Sequence, residues 1–147
     1  MRVAESLVAL SVGVGLACAG CGGGPPRVLE SISVTPAQAT AQNGQASYTA
    51  TGHFNTSPMT VPNLPASWLV VGPALDPPGP GYILIPTPFT AGCSANSPYT
   101  VVAYAPANPN APSSGPMPSA AFDALVLAHT TATDDGFVAG TAKLNCN

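Results

Sequence analysis

The sequence predicts an all-β domain in which about seven short strands form two stacked sheets. Three observations predict this fold class: segments alternate between apolar and polar residues, proline or glycine closes four of the seven segments, and the single tryptophan lies in a short apolar run. A strand buried on one face has such a period of two. Each sheet would have one apolar face, and that face must be covered by another layer. We therefore expect a β-sandwich.

The first two predicted strands are the most regular. Residues 28–35 (VLESISVT) alternate, and residues 45–54 (QASYTATGHF) place Tyr48 on the apolar face and His53 on the polar face. Tyr48 is therefore predicted to lie in the core, and His53 on the surface. The pair Asn43-Gly44 between the two segments is typical of a tight turn.

Further strands are predicted along the rest of the chain. Trp68 lies in the apolar run 66–71 (ASWLVV) and is predicted to be the central core residue of the sandwich. The remaining predicted strands are residues 81–85, 99–105, 122–129 and 137–146. In the last of these, the alternation turns Cys146 inward. Residues 105–119 (APANPNAPSSGPMPS) are rich in proline and are predicted to form a linker without regular structure.

The N-terminal segment has the layout of a secretory signal. Arg2 precedes an apolar run over residues 7–19, which at about 13 residues is shorter than the roughly 20 that a membrane-spanning helix needs. The small residues Ala19 and Gly20 before Cys21 resemble a bacterial lipobox, which predicts a signal peptide over residues 1–20 and lipidation of Cys21. Cys18 occupies a position where leucine is usual. Lipidation at Cys18, simple secretion and a retained signal anchor remain alternatives.

The predicted mature chain begins with a flexible segment. Residues 21–27 contain the anchor cysteine and a glycine- and proline-rich tether, and residues 28–147 form the domain. With Cys18 removed and Cys21 acylated, Cys93 and Cys146 remain. In an oxidising compartment, two remaining cysteines predict a disulfide, and two small buried thiols are the alternative.

Composition excludes some partners and favours others. The formal net charge is -3, and charged residues make up 6% of the 147-residue chain. Nucleic-acid binding requires clustered Lys and Arg, so it is not expected. The expected partners are a membrane, through the N-terminal lipid, and an unknown protein or glycan ligand.

No catalytic arrangement is evident in the sequence. His53 and His129 are the two imidazoles that could act as bases, and no G-x-S-x-G nucleophile motif is present. The acidic segment Asp134-Asp135-Gly136 is predicted to be a hairpin turn, and a weak calcium site shared with Asp123 is the alternative. We predict no catalytic residue, no metal and no cofactor.

Several short motifs resemble the bacterial immunoglobulin-like domain of the group 2 type. The motifs are Val34-Thr35-Pro36, Gly44, Tyr48-Thr49-Ala50-Thr51, Trp68 and Thr100-Val101-Val102-Ala103. The resemblance covers about residues 28–105 and implies an immunoglobulin-like sandwich. Residues 106–147 lie outside it and are expected to be a C-terminal extension. Domains of this family occur in surface proteins such as intimin- and invasin-like adhesins.

The expected function is that of a non-enzymatic, exported module for adhesion, envelope structure or protein interaction. The resemblance and the lipobox together imply a protein that is anchored to a bacterial cell membrane or outer membrane, or secreted. A carbohydrate-binding module that presents exposed aromatic residues is the alternative. Tyr104 is the aromatic residue predicted to face a ligand, because Val101 and Ala103 take the opposite face of its strand.

Overall fold

The computed structural model describes residues 24–72, 81–93, 98–116 and 136–147. These ranges contain ten β-strands and no helix. The strands are β1 (Leu29–Thr35), β2 (Gln38–Thr40), β3 (Gln45–Phe54), β4 (Thr60–Pro62), β5 (Ser67–Val71), β6 (Gly81–Ile83), β7 (Phe89–Gly92), β8 (Pro98–Pro106), β9 (Ser114–Pro116) and β10 (Phe137–Asn145). The predicted signal peptide, Cys21 and the predicted strand at 122–129 lie outside the described residues.

Sheet 1 is built around β3. Strand β1 pairs with one edge of β3 in antiparallel register, from Thr35↔Thr49 to Leu29↔Phe54. The other edge of β3 is shared, because β7 pairs with its first half and β4 with its second half. Sheet 1 therefore contains four strands.

Sheet 2 has the order β2-β10-β8-β5. The antiparallel pairing of β10 with β8 runs from Phe137↔Pro106 to Asn145↔Pro98. The chain crosses from sheet 1 to sheet 2 between β1 and β2. In sheet 2, β2 pairs with β10 in parallel. Strands β6 and β9 form a separate two-stranded ribbon.

The two sheets pack face to face as a β-sandwich with one main core. Apolar side chains from alternate positions of each sheet meet there, as the period of two requires. The buried residues include Leu29, Ile32, Val34, Tyr48, Ala50 and Phe54 from sheet 1, and Tyr99, Val101, Ala103, Val138, Ala142 and Leu144 from sheet 2. The alternation in β1, β3 and β10 therefore correctly predicted which face is buried, including the inward position of Cys146, which is 8% exposed.

The turn predicted at Asn43-Gly44 is confirmed. Both residues have positive φ angles, 54° and 76°, and Gln42 and Gln45 exchange two backbone hydrogen bonds of 2.8 and 3.1 Å. Positive φ at both central residues defines a type I′ turn, whose twist matches that of the strands it joins. Glycine is favoured at the second position because it has no Cβ.

The strand predictions for 28–35, 45–54, 66–71, 99–105 and 137–146 agree with the structure to within two residues. The short strands β2, β4 and β7 have no extended alternation, so they are not predicted from the sequence. The prediction that residues 105–119 lack regular structure is wrong. Ser114–Pro116 forms β9, because backbone pairing with β6 stabilises a strand that its composition does not favour.

Tyr104 is on the predicted face, but the prediction that it is exposed is wrong. The face of sheet 2 that points away from sheet 1 carries a second apolar cluster of Val102, Tyr104, Phe137 and Ala139. Leu84, next to strand β6, packs against this cluster. Tyr104 is consequently only 6% exposed.

Candidate functional site

One end of the sandwich is where β1 begins and β3 and β8 end, and we call it the tether pole. The Leu29 amide donates to the Ala107 carbonyl over 2.8 Å, and the Phe54 amide donates to the Met59 carbonyl over 2.7 Å. The residues that lead from the predicted tether into the domain therefore enter at this pole.

Asn55 holds the segment that precedes β1. Its Oδ1 accepts a hydrogen bond of 2.8 Å from the Val28 amide, and its Nδ2 donates one of 3.0 Å to the Pro26 carbonyl. Its own amide donates to the Val28 carbonyl over 3.1 Å. Sequence reasoning missed this role, since nothing local to Asn55 shows that its partners lie 27 to 29 positions earlier.

Arg27 makes a second link between this segment and the loop that follows β3. Its guanidinium carbon lies 4.1 Å from the centre of the Phe54 ring, within range of a cation–π interaction. The same guanidinium donates to the Pro58 carbonyl over 2.7 Å and to the Ser57 carbonyl over 3.5 Å. These contacts fix the position at which the chain enters the tether pole.

An apolar cleft of about 170 Å³ opens at the tether pole. Leu29, Phe54, Leu64 and Leu84 contribute to its lining, together with prolines and alanines. The polar residue Asn108 also lines it, but its Oδ1 already accepts a hydrogen bond of 2.9 Å from the Asn110 amide. The cleft therefore suits apolar groups better than polar ones.

Three large apolar side chains of the described residues are exposed, and all belong to segments attached to the tether pole. Met59 is 63% exposed, Ile83 68% and Ile85 38%. Met59 lies in the loop after β3, and Ile85 bridges to Ala66 just before β5. The Ile83 carbonyl accepts a hydrogen bond of 2.6 Å from the Ser67 hydroxyl at the start of β5.

The opposite end of the sandwich, which we call the disulfide pole, contains the predicted disulfide. Cys93 follows β7 in sheet 1, and Cys146 follows β10 in sheet 2. Their Cα atoms are 5.9 Å apart and a disulfide joins their sulfur atoms. The prediction of this pairing is confirmed, and the bond connects the two sheets.

Tyr48 and Trp68, the two predicted core residues, differ in burial. Tyr48 is fully buried, and its hydroxyl donates to the Lys143 carbonyl over 3.0 Å, which links sheet 1 to sheet 2. Trp68 packs against the main core but is half-buried. Its ring stacks on Phe89 at 4.9 Å and 9°, and its Nε1 has no hydrogen-bond partner among the described residues.

His53, the histidine of the described ranges, pairs with a serine of the neighbouring strand. His53 is half-buried, and its Nε2 lies 2.9 Å from the Ser33 hydroxyl on the outer face of sheet 1. In the described part of the chain, no group of three metal-ligating side chains occurs. His129, Asp123 and the Asp134-Asp135 pair lie outside the described residues.

Comparison with known proteins yields no relative. No family model matches the chain, and no curated protein or solved structure matches it. Within the ranges that the structure describes, no helix has the length and apolar character to span a membrane.

Proposed function

We propose that this protein is an exported, non-enzymatic immunoglobulin-like module, held at a bacterial cell envelope by a lipid on Cys21. In this proposal it acts in adhesion, envelope structure or protein interaction. Its residues 28–147 form the folded part, and residues 21–27 connect that part to the membrane.

The observation that carries this proposal is the Cys93–Cys146 disulfide. The bond joins the two sheets, with a half-buried Cys93 and a buried Cys146. Disulfides of this structural kind persist in oxidising compartments and are rare in the cytosol. An exported protein is therefore the reading that agrees with both the disulfide and the signal-like N-terminal sequence.

Strand connectivity supports the immunoglobulin-like part of the proposal. In immunoglobulin-like sandwiches, strands A, B and E share one sheet and strands C, F and G share the other, with a tryptophan on strand C. Strands β1, β3 and β7 share sheet 1, and β5, β8 and β10 share sheet 2. Trp68 lies on β5, which corresponds to strand C in this comparison.

The alternative proposal, a carbohydrate-binding module, receives less support. Such a module would present exposed aromatic rings, and no aromatic side chain whose burial is described is fully exposed. Trp68 and Phe89 are half-buried and stacked on each other, and Tyr104 is buried. Among the aromatic side chains whose burial is described, this half-buried pair is the surface most accessible to a glycan.

The position of His53 on the outer face of sheet 1 also favours a binding role over hydrolysis. Ser33 is exposed, and the Ser33–His53 pair lies on the outer face of a sheet, where water reaches it. A nucleophile in a hydrolase is normally activated by a base that a third group orients.

Intact mass of the protein from a bacterial membrane fraction tests the proposal. We expect the mass of residues 21–147 plus acyl chains, reduced by two hydrogens for the disulfide. The Cys21→Ser variant should lose the acyl mass, whereas Cys18→Ser should retain it. An unmodified, full-length wild-type chain in the cytosol would contradict the proposal.

A further inference from the structure

We propose that the tether pole is a membrane-contacting face, and that its exposed apolar side chains enter the interfacial region of the lipid bilayer. This inference rests on the proposed lipid anchor at Cys21. It goes further because it gives the domain a fixed orientation, with the tether pole on the lipid and the disulfide pole pointing away.

The first step is the short reach of the tether. Pro26, whose carbonyl accepts a hydrogen bond from the Asn55 side chain, lies five positions after Cys21. Five residues span at most about 18 Å when fully extended. Because Arg27 and Val28 are also bound to the loop after β3, the chain is held close to the pole as far as its entry into β1. An acyl group on Cys21 would therefore keep the tether pole near the lipid surface.

The second step is the distribution of apolar surface. Met59, Ile83 and Ile85, the large apolar side chains exposed in the described ranges, all belong to segments attached to the tether pole. The apolar cleft opens at the same pole. Exposed apolar side chains in segments that adjoin an apolar cleft are candidates for contact with a protein or a membrane.

The third step is the choice of a lipid over a protein partner. Membrane binding at the interface strengthens with the apolar area that enters the bilayer, so apolar side chains on the domain would add a contact to the one that the acyl chains on Cys21 provide. The apolar side chains lie at the end of the domain that the tether brings to the bilayer, so they are placed to supply that contact. Arg27 adds a positive charge there, with its guanidinium over Phe54, as suits the headgroup region of an anionic membrane.

Quenching by brominated lipids tests this orientation. The full-length chain is expressed with its own leader in a bacterium, purified from the membrane fraction, checked by intact mass and reconstituted into phosphatidylethanolamine–phosphatidylglycerol vesicles with brominated acyl chains. Two variants retain Trp68 and add one indole each: Met59→Trp at the tether pole, and Gln42→Trp at the exposed hairpin near the disulfide pole. We expect the brominated lipids to remove most of the fluorescence added by M59W and none of that added by Q42W.

A charged pair of variants checks the energetic contribution of the pole. Met59→Glu should speed the transfer of the acylated protein from donor to acceptor vesicles several-fold, because a carboxylate opposes insertion. Gln42→Glu adds the same charge at the other end and should leave the rate unchanged. Both side chains are exposed, so neither substitution disturbs the core.

The outcomes separate the two proposals. A purified chain without acyl groups overturns the anchor and the membrane contact together. An acylated chain in which lipids quench M59W and Q42W equally, or quench neither, overturns the membrane contact and leaves the anchor standing. A blue shift of the M59W emission that brominated lipids do not quench would mean that the added indole is covered by protein, its own chain or a second copy, and would also overturn the membrane contact.

Discussion

Gly140 shows at the residue scale how closely the two sheets approach each other. It lies on β10 and faces the backbone of β1, where an added Cβ would collide with the Ile32 carbonyl. Glycine is required here by close approach of two strands rather than by its φ angle. The alternation of residues 137–146 predicts the inward face of β10, but not the strand that this face meets.

Gly140→Ala should destabilise the fold by about 1–3 kcal/mol, the usual cost of overpacking a core. The Ile32 carbonyl belongs to the backbone, so β1 and β10 must move apart to admit the methyl group. The midpoint of urea denaturation measures the loss. Gly92→Ala is the matched control, because no atom lies within 4 Å of its added Cβ. Equal stability of the two variants would contradict the packing described here.

Tyr48 and Tyr104 link stability to alkaline pH. Burial raises the pKa of both phenols above 10.0, and hydrogen bonding between Tyr104 and the Ser67 side chain opposes the rise in the pKa of Tyr104. Above about pH 10 the unfolded chain loses phenolic protons that the folded chain retains. The unfolded state then binds fewer protons, so the free energy of unfolding falls as the pH rises towards the folded pKa.

We therefore expect full stability below about pH 10 and a progressive loss above it. Urea denaturation at a series of alkaline pH values measures this dependence. Tyr104→Phe should reduce the slope, because it removes one of the two shifted groups. An identical slope in Tyr104→Phe and in the wild-type protein would show that Tyr104 does not contribute.

At the scale of elements, the disulfide connects the ends of β7 and β10 across the two sheets. It closes a loop with a sequence separation of 53 residues. In the chain-entropy description, a disulfide that closes a loop of that length stabilises the folded state by about 4 kcal/mol. The Cys93 amide also donates to the Gly44 carbonyl over 2.8 Å, so the disulfide pole includes the confirmed hairpin.

Cys93→Ala combined with Cys146→Ala should lower the free energy of unfolding by up to about 4 kcal/mol. Denaturation with and without a reductant provides the measurement. Reduction should destabilise the wild-type chain and have no effect on the double variant. A wild-type protein that is unaffected by complete reduction would contradict a stabilising role for this bond.

At the scale of the whole molecule, the last strand completes the structure. Strand β10 lies inside sheet 2 between β2 and β8, and its inner face packs on β1. Strand β10 therefore connects β1 and β2, from the first third of the chain, with β8. Such non-local pairing means that the sandwich depends on residues distant in sequence.

A chain that ends at Gly136 should not fold, because without β10 the inner face of β1 is uncovered and the edges of β2 and β8 lose their backbone pairing. Circular dichroism and the dispersion of amide resonances report on folding. A chain that ends at Cys146 lacks only the exposed Asn147 and should fold like the full-length protein. A cooperative transition in the shorter chain would contradict the central role of β10.

The sequence by itself determined the strands with long alternation, their buried faces, the Asn43-Gly44 turn and the pairing of the two remaining cysteines. The strands, their buried faces and the turn follow from residue spacing within a segment, which local geometry converts directly into a face or a turn. The disulfide follows from the two cysteines that remain behind a predicted export signal. The tertiary structure decided the parallel pairing of β2 with β10, the formation of β9, the burial of Tyr104 and the apolar cleft at the tether pole. Each of these depends on which distant segments come together, and a period of two assigns a residue to a face without showing what covers that face.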